Sequence, residues 1–164
     1  AFQKALIIDG AVAASDSHAQ DFWRLRESIS EAELKAGRGV HFDISVPITK
    51  ISDFVRVADQ RVQQIAPDSI IVNFGHLGDG NLHYNVSLPK SLGEVEYDML
   101  KGKLKEAIYK DVREHSGSIS AEHGIGQLRK DDLYQYKSHV EYELMQKIKR
   151  AIDPHNIMNP GKML

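Results

Sequence analysis

Asp79-Gly80, set between the runs SIIVNFGHL and NLHYNVSL, restricts the fold of this chain more than any other feature. An Asp-Gly pair flanked by β-branched and aromatic residues is a strong signal for a two-residue hairpin turn, whose central positions need positive φ. It commits the middle of the chain to two antiparallel strands and sets their register. Counting outward from the turn, Leu77 faces Leu82 and His76 faces His83.

The segments on either side extend the pattern. VHFDISVP, from Val40 to Pro47, alternates as a half-buried strand does. Ile51, Phe54, Val55, Ala58, Val62 and Ile65 share one helical face, and Pro67 ends that helix. Ser69 to Phe74 begins the hairpin. Tyr97, Leu100, Leu104, Ile108 and Val112 form a second stripe ending at Ser116-Gly117, and GSISAEHGIG follows as a strand entering a glycine loop. From Val40 to Ala121 the order is β-α-β-β-α-β, the ferredoxin-like pattern. The expected fold is therefore α+β, with helices on one face of an antiparallel sheet and the fourth strand beside the first.

Material outside this unit is mostly helical. Residues 5–9, ALIID, suggest a strand fragment. A helix is expected from Asp16 or Ser17 to Ala36, stopped by Gly37 and Gly39, with Trp23 used for packing. Ser138-x-x-Glu141 is a capping box that opens the last helix, whose stripe is Leu144, Ile148 and Ile152. Pro154 stops it, and IMNPGKML is an irregular tail.

Composition removes several function classes. With 21 Lys+Arg against 23 Asp+Glu and a net charge of −2, electrostatics do not favour a nucleic-acid or anionic-membrane partner. No apolar run approaches the roughly 20 residues of a transmembrane helix, and the opening lacks a charged signal region. There is no Cys among the 164 residues, so any metal chemistry falls to carboxylates and the 8 His.

Those groups converge. His76 and His83, paired across the hairpin, can share one ion, and Asn85 lies on the same face as His83. In the expected topology Glu122 and His123 end the fourth strand and His41 begins the first, at the same sheet edge. Two histidines and a carboxylate are a ligand set for Zn²⁺ with positions open for substrate, and Mn²⁺ or Fe²⁺ accept the same ligand types. Glu122 and His123, adjacent in a strand, point opposite ways, so that one can bind metal while the other faces the substrate as a general base. Paired histidines beside a turn also occur as solvated surface residues; the convergence of Glu122 and His123 favours a site. His18, His115, His139 and His155 are assigned to caps or solvated helix positions. Gly78-x-Gly80 and Gly124-x-Gly126 lack the strand, spacing and helix of a dinucleotide fingerprint. Neither a P-loop nor an activated-serine motif is present.

Taken together, GHLGDGNLHYN, SAEHGIG and NIMNPGKML resemble the C-terminal domain of FAD-linked oxidases of the vanillyl-alcohol-oxidase superfamily, from about Asp21 to the C-terminus. The branch contains D-2-hydroxyglutarate dehydrogenase, D-lactate dehydrogenase and a glycolate oxidase subunit. The resemblance implies that His76, His83 and Glu122 are metal ligands and His123 the catalytic base. WRLRES resembles a W-x-x-R-E segment, making Arg26 the clamp on the substrate carboxylate. Ser30 and Asn85 match substrate-contacting positions, and Asn159 matches a tail residue near the flavin. His41 stands where the family commonly has Lys. A titratable group there weakens the case for a second substrate carboxylate, and so for 2-hydroxyglutarate over a smaller 2-hydroxy acid.

The implied function is oxidation of a D-2-hydroxy acid to the 2-oxo acid, with hydride passing to FAD. The FAD-binding domain is expected upstream in the same chain, so this fragment alone should be inactive and colourless. The other implied partners are the substrate and an electron acceptor, with a homodimer among the possible assemblies. The expected location is the cytoplasm, or the mitochondrial matrix in a eukaryote. A ferredoxin-like metal-binding module without catalysis is the competing class. A free-standing metallohydrolase fits the ligand set, but leaves Arg26 and the NPGK tail without a role.

Overall fold

The computed structural model describes residues 8–164, which fall into two units divided after Ala36. Most of the strand expected at residues 5–9 lies outside the described residues, and Ile8 and Asp9 are not in a strand.

The first unit carries two helices, α1 (Asp16–Glu27) and α2 (Ile29–Ala36). The Ser15 hydroxyl opens α1 by accepting the His18 N–H at 3.2 Å. One continuous helix was expected to Ala36. Instead Ser28 terminates α1, its hydroxyl turned back to the Leu25 carbonyl at 2.9 Å, in the manner by which serine competes with the helical backbone. Trp23 is 63% exposed rather than packed.

The second unit is a three-stranded antiparallel sheet, β1 (Arg38–Ser45), β2 (Ile70–Phe74) and β3 (Asn81–Leu88), in the spatial order β1-β3-β2. Helix α3 (Ile51–Ile65) links β1 to β2, and α4 (Glu94–Glu114) follows β3. Two shorter helices come next, α5 (Lys130–Tyr136), which periodicity did not reveal, and α6 (His139–Ile152). The architecture is α+β, as expected. The fourth strand is not formed among the described residues: its place beside β1 is held by one antiparallel bridge, Ser45 to Ser118.

Alternation sorts the sheet into two faces. Val40, Phe42 and Ile44 of β1 pair with Val86, Tyr84 and Leu82 of β3. With Phe54, Ala58 and Val62 of α3 and Leu104, Ile108 and Val112 of α4, they form the buried core. Two polar pairs enter this layer: the Tyr84 hydroxyl donates to Asp59 at 2.7 Å, and Arg61 faces both oxygens of the fully buried Asp111 at 2.8 and 2.7 Å. Burial and the neighbouring Asp59 push the Tyr84 phenol far above its usual range.

The hairpin register differs from expectation. Phe74, not His76, pairs with His83. The chain leaves β2 at Gly75 and makes a 3-10 turn over Leu77–Asp79, which ends at Gly80 in the left-handed region with φ 70°. The connection is therefore a six-residue loop rather than a two-residue turn. Only glycine fits at position 80, since a Cβ there would lie 2.2 Å from the Val46 carbonyl oxygen.

Candidate metal and substrate site

The second face of the sheet carries buried polar side chains on β1 and β3, flanked by Ile70, Val72 and Phe74 of β2. Asp43, Asn81, Asn85 and Ser87 point away from the helices and are each at most 5% exposed. Register places Asp43 opposite His83 and Ser45 opposite Asn81, so the end of β1, and not its start, lies at the hairpin loop.

This corrects the expected position of His41. The first strand does run antiparallel to the third, but that brings Ser45 to the loop and leaves His41 further along, opposite Asn85. The His41 ring folds back over Gly39, where a Cβ would stand 2.3 Å from its Nε2.

Although the cross-strand pairing differs, the structure brings His76, His83 and Glu122 together. One ligand atom from each lies within 4.8 Å of the others. Glu122 Oε1 is 3.0 Å from His76 Nδ1, and Glu122 Oε2 is 3.9 Å from His83 Nε2. His76 reaches the group from the loop, with its carbonyl accepting the Asp79 and Asn81 N–H groups at 3.0 and 3.2 Å. His83 is 18% exposed and lies against Phe74, with ring centroids 5.1 Å apart.

Asn81 bridges the group. Its amide Nδ2 donates to Glu122 Oε1 and lies 3.3 Å from His76 Nδ1, while its buried Oδ1 has no hydrogen-bond partner. A carboxylate oxygen and an imidazole nitrogen 3.0 Å apart are both acceptors unless a proton or a cation lies between them. Donor atoms around a tetrahedral zinc with bonds of about 2.0–2.1 Å are about 3.3 Å apart. The three side chains thus fit a small divalent ion with movements of under about 1 Å in their ligand atoms.

His123 stands beside this group, 65% exposed, with its ring centroid 6.0 Å from that of His83. Its Nδ1 is 3.7 Å from Asp43 Oδ2. Asp43, which sequence reading did not select, is the hub on this face. Its carboxylate accepts the backbone N–H groups of Ala121 at 3.3 Å, Glu122 at 3.2 Å and His123 at 2.9 Å. Burial pushes the Asp43 carboxyl up, but these backbone donors and His123 outweigh it and hold the acid below its usual range.

The remaining candidates are spread over the chain. Asn85 is buried on the polar face between His41 and Val72 of the neighbouring strands. Arg26 is in α1 and Ser30 in α2, both in the first unit. Asn159, with φ 49°, lines a mostly apolar groove of about 720 Å³ with Ile148, Ile152, Met158 and Met163. The tail forming this groove is tied to α6 by Asp153, which accepts the N–H groups of Ile157 and Met158 at 2.9 and 3.0 Å and pairs with Lys149.

Comparison with known proteins fits these observations. The chain is 39% identical over 163 residues to a mitochondrial D-2-hydroxyglutarate dehydrogenase of Arabidopsis thaliana, with 99% of the chain and 28% of the relative covered. It is 37% identical over 161 residues to a D-2-hydroxyglutarate dehydrogenase of Stutzerimonas stutzeri, covering 98% of the chain and 34% of the relative. A putative mitochondrial D-lactate dehydrogenase of Schizosaccharomyces pombe is 37% identical over 169 residues, covering 98% and 31%. The chain thus spans about a third or less of the curated relatives it matches. The family described as FAD linked oxidases, C-terminal domain, matches residues 1–163. This chain belongs to the FAD-linked oxidase C-terminal domain family.

Proposed function

We propose that this chain is the C-terminal, substrate- and metal-binding part of a flavin-dependent dehydrogenase that oxidises a D-2-hydroxy acid to the 2-oxo acid. The observation that carries this reading is the convergence of His76, His83 and Glu122 beside His123. The relatives' names supply the substrate class, since each ends in a D-2-hydroxy acid dehydrogenase.

A divalent ion at His76, His83 and Glu122, with zinc the best match to the ligands and Mn²⁺ or Fe²⁺ the alternatives, would supply Lewis acidity to the substrate 2-hydroxyl. FAD, held by another domain of the same protein, would supply a hydride acceptor for C2, with a separate electron acceptor as the further partner. His123 takes the hydroxyl proton. Nε2 is the working atom, since Nδ1 faces Asp43. Arg26 binds the substrate carboxylate with two parallel N–H donors, assisted by Ser30. Asn85 and His41 orient the remainder of the substrate, and a titratable His41 favours a small side chain over a second carboxylate. Asn159 belongs to the flavin side.

In eukaryotes the setting is the mitochondrion, as in the names of the plant and yeast relatives. No helix among the described residues is long and apolar enough to cross a membrane.

The test is a substrate screen of the full-length protein with an artificial dye as acceptor, together with metal analysis. D-Lactate, D-malate and D-2-hydroxyglutarate are offered beside their L forms. One metal ion per chain and turnover of a D acid are expected, with both lost in His76→Ala and Glu122→Ala. Retention of metal and full turnover in both variants would overturn the assignment of the site. Metal binding without turnover of any 2-hydroxy acid would favour a non-catalytic metal-binding module.

A further inference from the structure

Glu122 and His123 lie on a segment that no sheet ladder supports. The chain from Ile119 to Gly126 is outside regular structure. Its backbone ties to β1 are the Ser45–Ser118 pair, at 3.0 and 2.7 Å, and the Ala121 N–H to the Asp43 carbonyl at 3.2 Å. Ile119 anchors the segment's start in the core and the Gly126 carbonyl accepts the Met163 N–H at 2.7 Å at its end, while between them the backbone N–H groups that carry Glu122 and His123 are held by one side chain. The Asp43 carboxylate, 3% exposed, gathers three consecutive N–H groups, those of Ala121, Glu122 and His123, and lies 3.4 Å from the Ser120 hydroxyl. Arg129 approaches the same carboxylate at 3.5 Å and the Ile119 carbonyl at 3.4 Å.

We infer that Asp43 is a positioning residue for the proposed reaction, which sets the backbone of Glu122 and His123 so that one meets the histidine pair and the other faces substrate. The chemistry is specific to a carboxylate. Its two oxygens offer about four acceptor positions and no donor. An Asn in the same place keeps one acceptor oxygen and turns an NH₂ toward backbone N–H groups. A Glu pushes the segment outward by a methylene. Sitting opposite His83 in register, Asp43 also ties the segment to β1 at the point where β1 pairs with a second proposed ligand on β3. Partners one shell out from a metal typically change its affinity by about 10–100-fold when lost.

The inference rests on the preceding reading for its catalytic meaning, and the experiment separates the two. Amide hydrogen exchange is measured on the full-length protein, as wild type and Asp43→Asn, alongside calorimetric titration with Zn²⁺ and ¹⁵N spectra of the His123 ring. In wild type, the Ala121, Glu122 and His123 amides should be protected like strand amides although they lie outside a strand. In Asp43→Asn the Glu122 and His123 amides should exchange at least about 10-fold faster, while Ala121, which keeps the Asp43 carbonyl, changes less and the β1 and β3 ladder amides keep their protection. The His123 ring spectrum should shift, and Zn²⁺ affinity should fall about 10–100-fold. Unprotected amides in wild type would overturn the inference, with or without a folded variant. So would unchanged local exchange and an unchanged His123 spectrum in a folded Asp43→Asn. If wild type takes up no Zn²⁺, the metal reading fails and the exchange comparison still decides the role of Asp43.

Discussion

The central strand β3 is buried on both faces of the sheet, but the two faces are held by different physics. Toward α3 and α4, Phe42, Ile44, Tyr84 and Val86 fill space, and the free energy comes from apolar area removed from water. On the other face Asp43, Asn81 and Asn85 are just as inaccessible, and stability there depends on hydrogen bonds being made. The first face tolerates changes that conserve volume. The second tolerates little that changes the count of donors and acceptors.

This contrast can be broken from either side. The largest effect is expected on the helical face: Phe54→Ala removes a fully buried ring packed edge-on against Tyr84 and His115. It should cost about 3–5 kcal/mol in denaturant titration, leaving metal stoichiometry unchanged in the folded fraction. On the polar face, Asp43→Ala leaves the Glu122 and His123 N–H groups without their acceptor, while Ala121 keeps the Asp43 carbonyl, and should cost about 1–3 kcal/mol. Its pH signature has a fixed sign. The folded Asp43 acid is depressed, so its contribution is complete above the ordinary aspartate value of about 4 and is lost as pH falls through the lower folded value. Stability of wild type should therefore drop more steeply below about pH 4 than that of Asp43→Ala.

A smaller stability change, with a larger functional one, is expected for Asn81→Ala. It removes the amide between Glu122 and His76. Zn²⁺ affinity should weaken about 10-fold, for a loss below about 1.5 kcal/mol in stability. Ser138→Ala is the control remote from both faces. The capping box of Ser138 and Glu141 opens α6, and its loss should cost about 1 kcal/mol without altering metal binding. Lys137 and Ser138 hold the Glu141 acid down to about 2, so the box should persist through pH 3 and be lost only as pH approaches that value.

The helical face was legible in the sequence because periodicity records it directly: the stripes of α3 and α4 and the alternation of β1 are visible as letters. The residues that meet at the candidate site were legible at the level of residue type. The geometry was not. Asp79-Gly80 suggested a two-residue turn, but Gly75 leaves the strand early and the His76 carbonyl gathers two N–H groups, shifting the register by two residues in sum. His76 meets Glu122 from the loop instead of from a strand. Asp43 was hidden for another reason. An acidic residue at an out-of-phase position of a strand has the pattern of a solvent-facing one, and its partners are backbone N–H groups that no residue type announces. Its one signal was an Asp embedded in the otherwise apolar and small residues of FDISV.

The missing fourth strand has a consequence for the order in which the molecule assembles. The β1–β3 pairing and the two helices above it can form without the segment from Ile119 to Gly126, whereas that segment needs Asp43 already held in β1. Its contacts belong late on the folding path, after the rate-limiting barrier. Changes at Asp43 should then hasten unfolding while leaving the refolding rate nearly untouched, and changes at Phe54 or Tyr84 should slow refolding itself. A chain built this way is expected to acquire its scaffold first and its candidate site last.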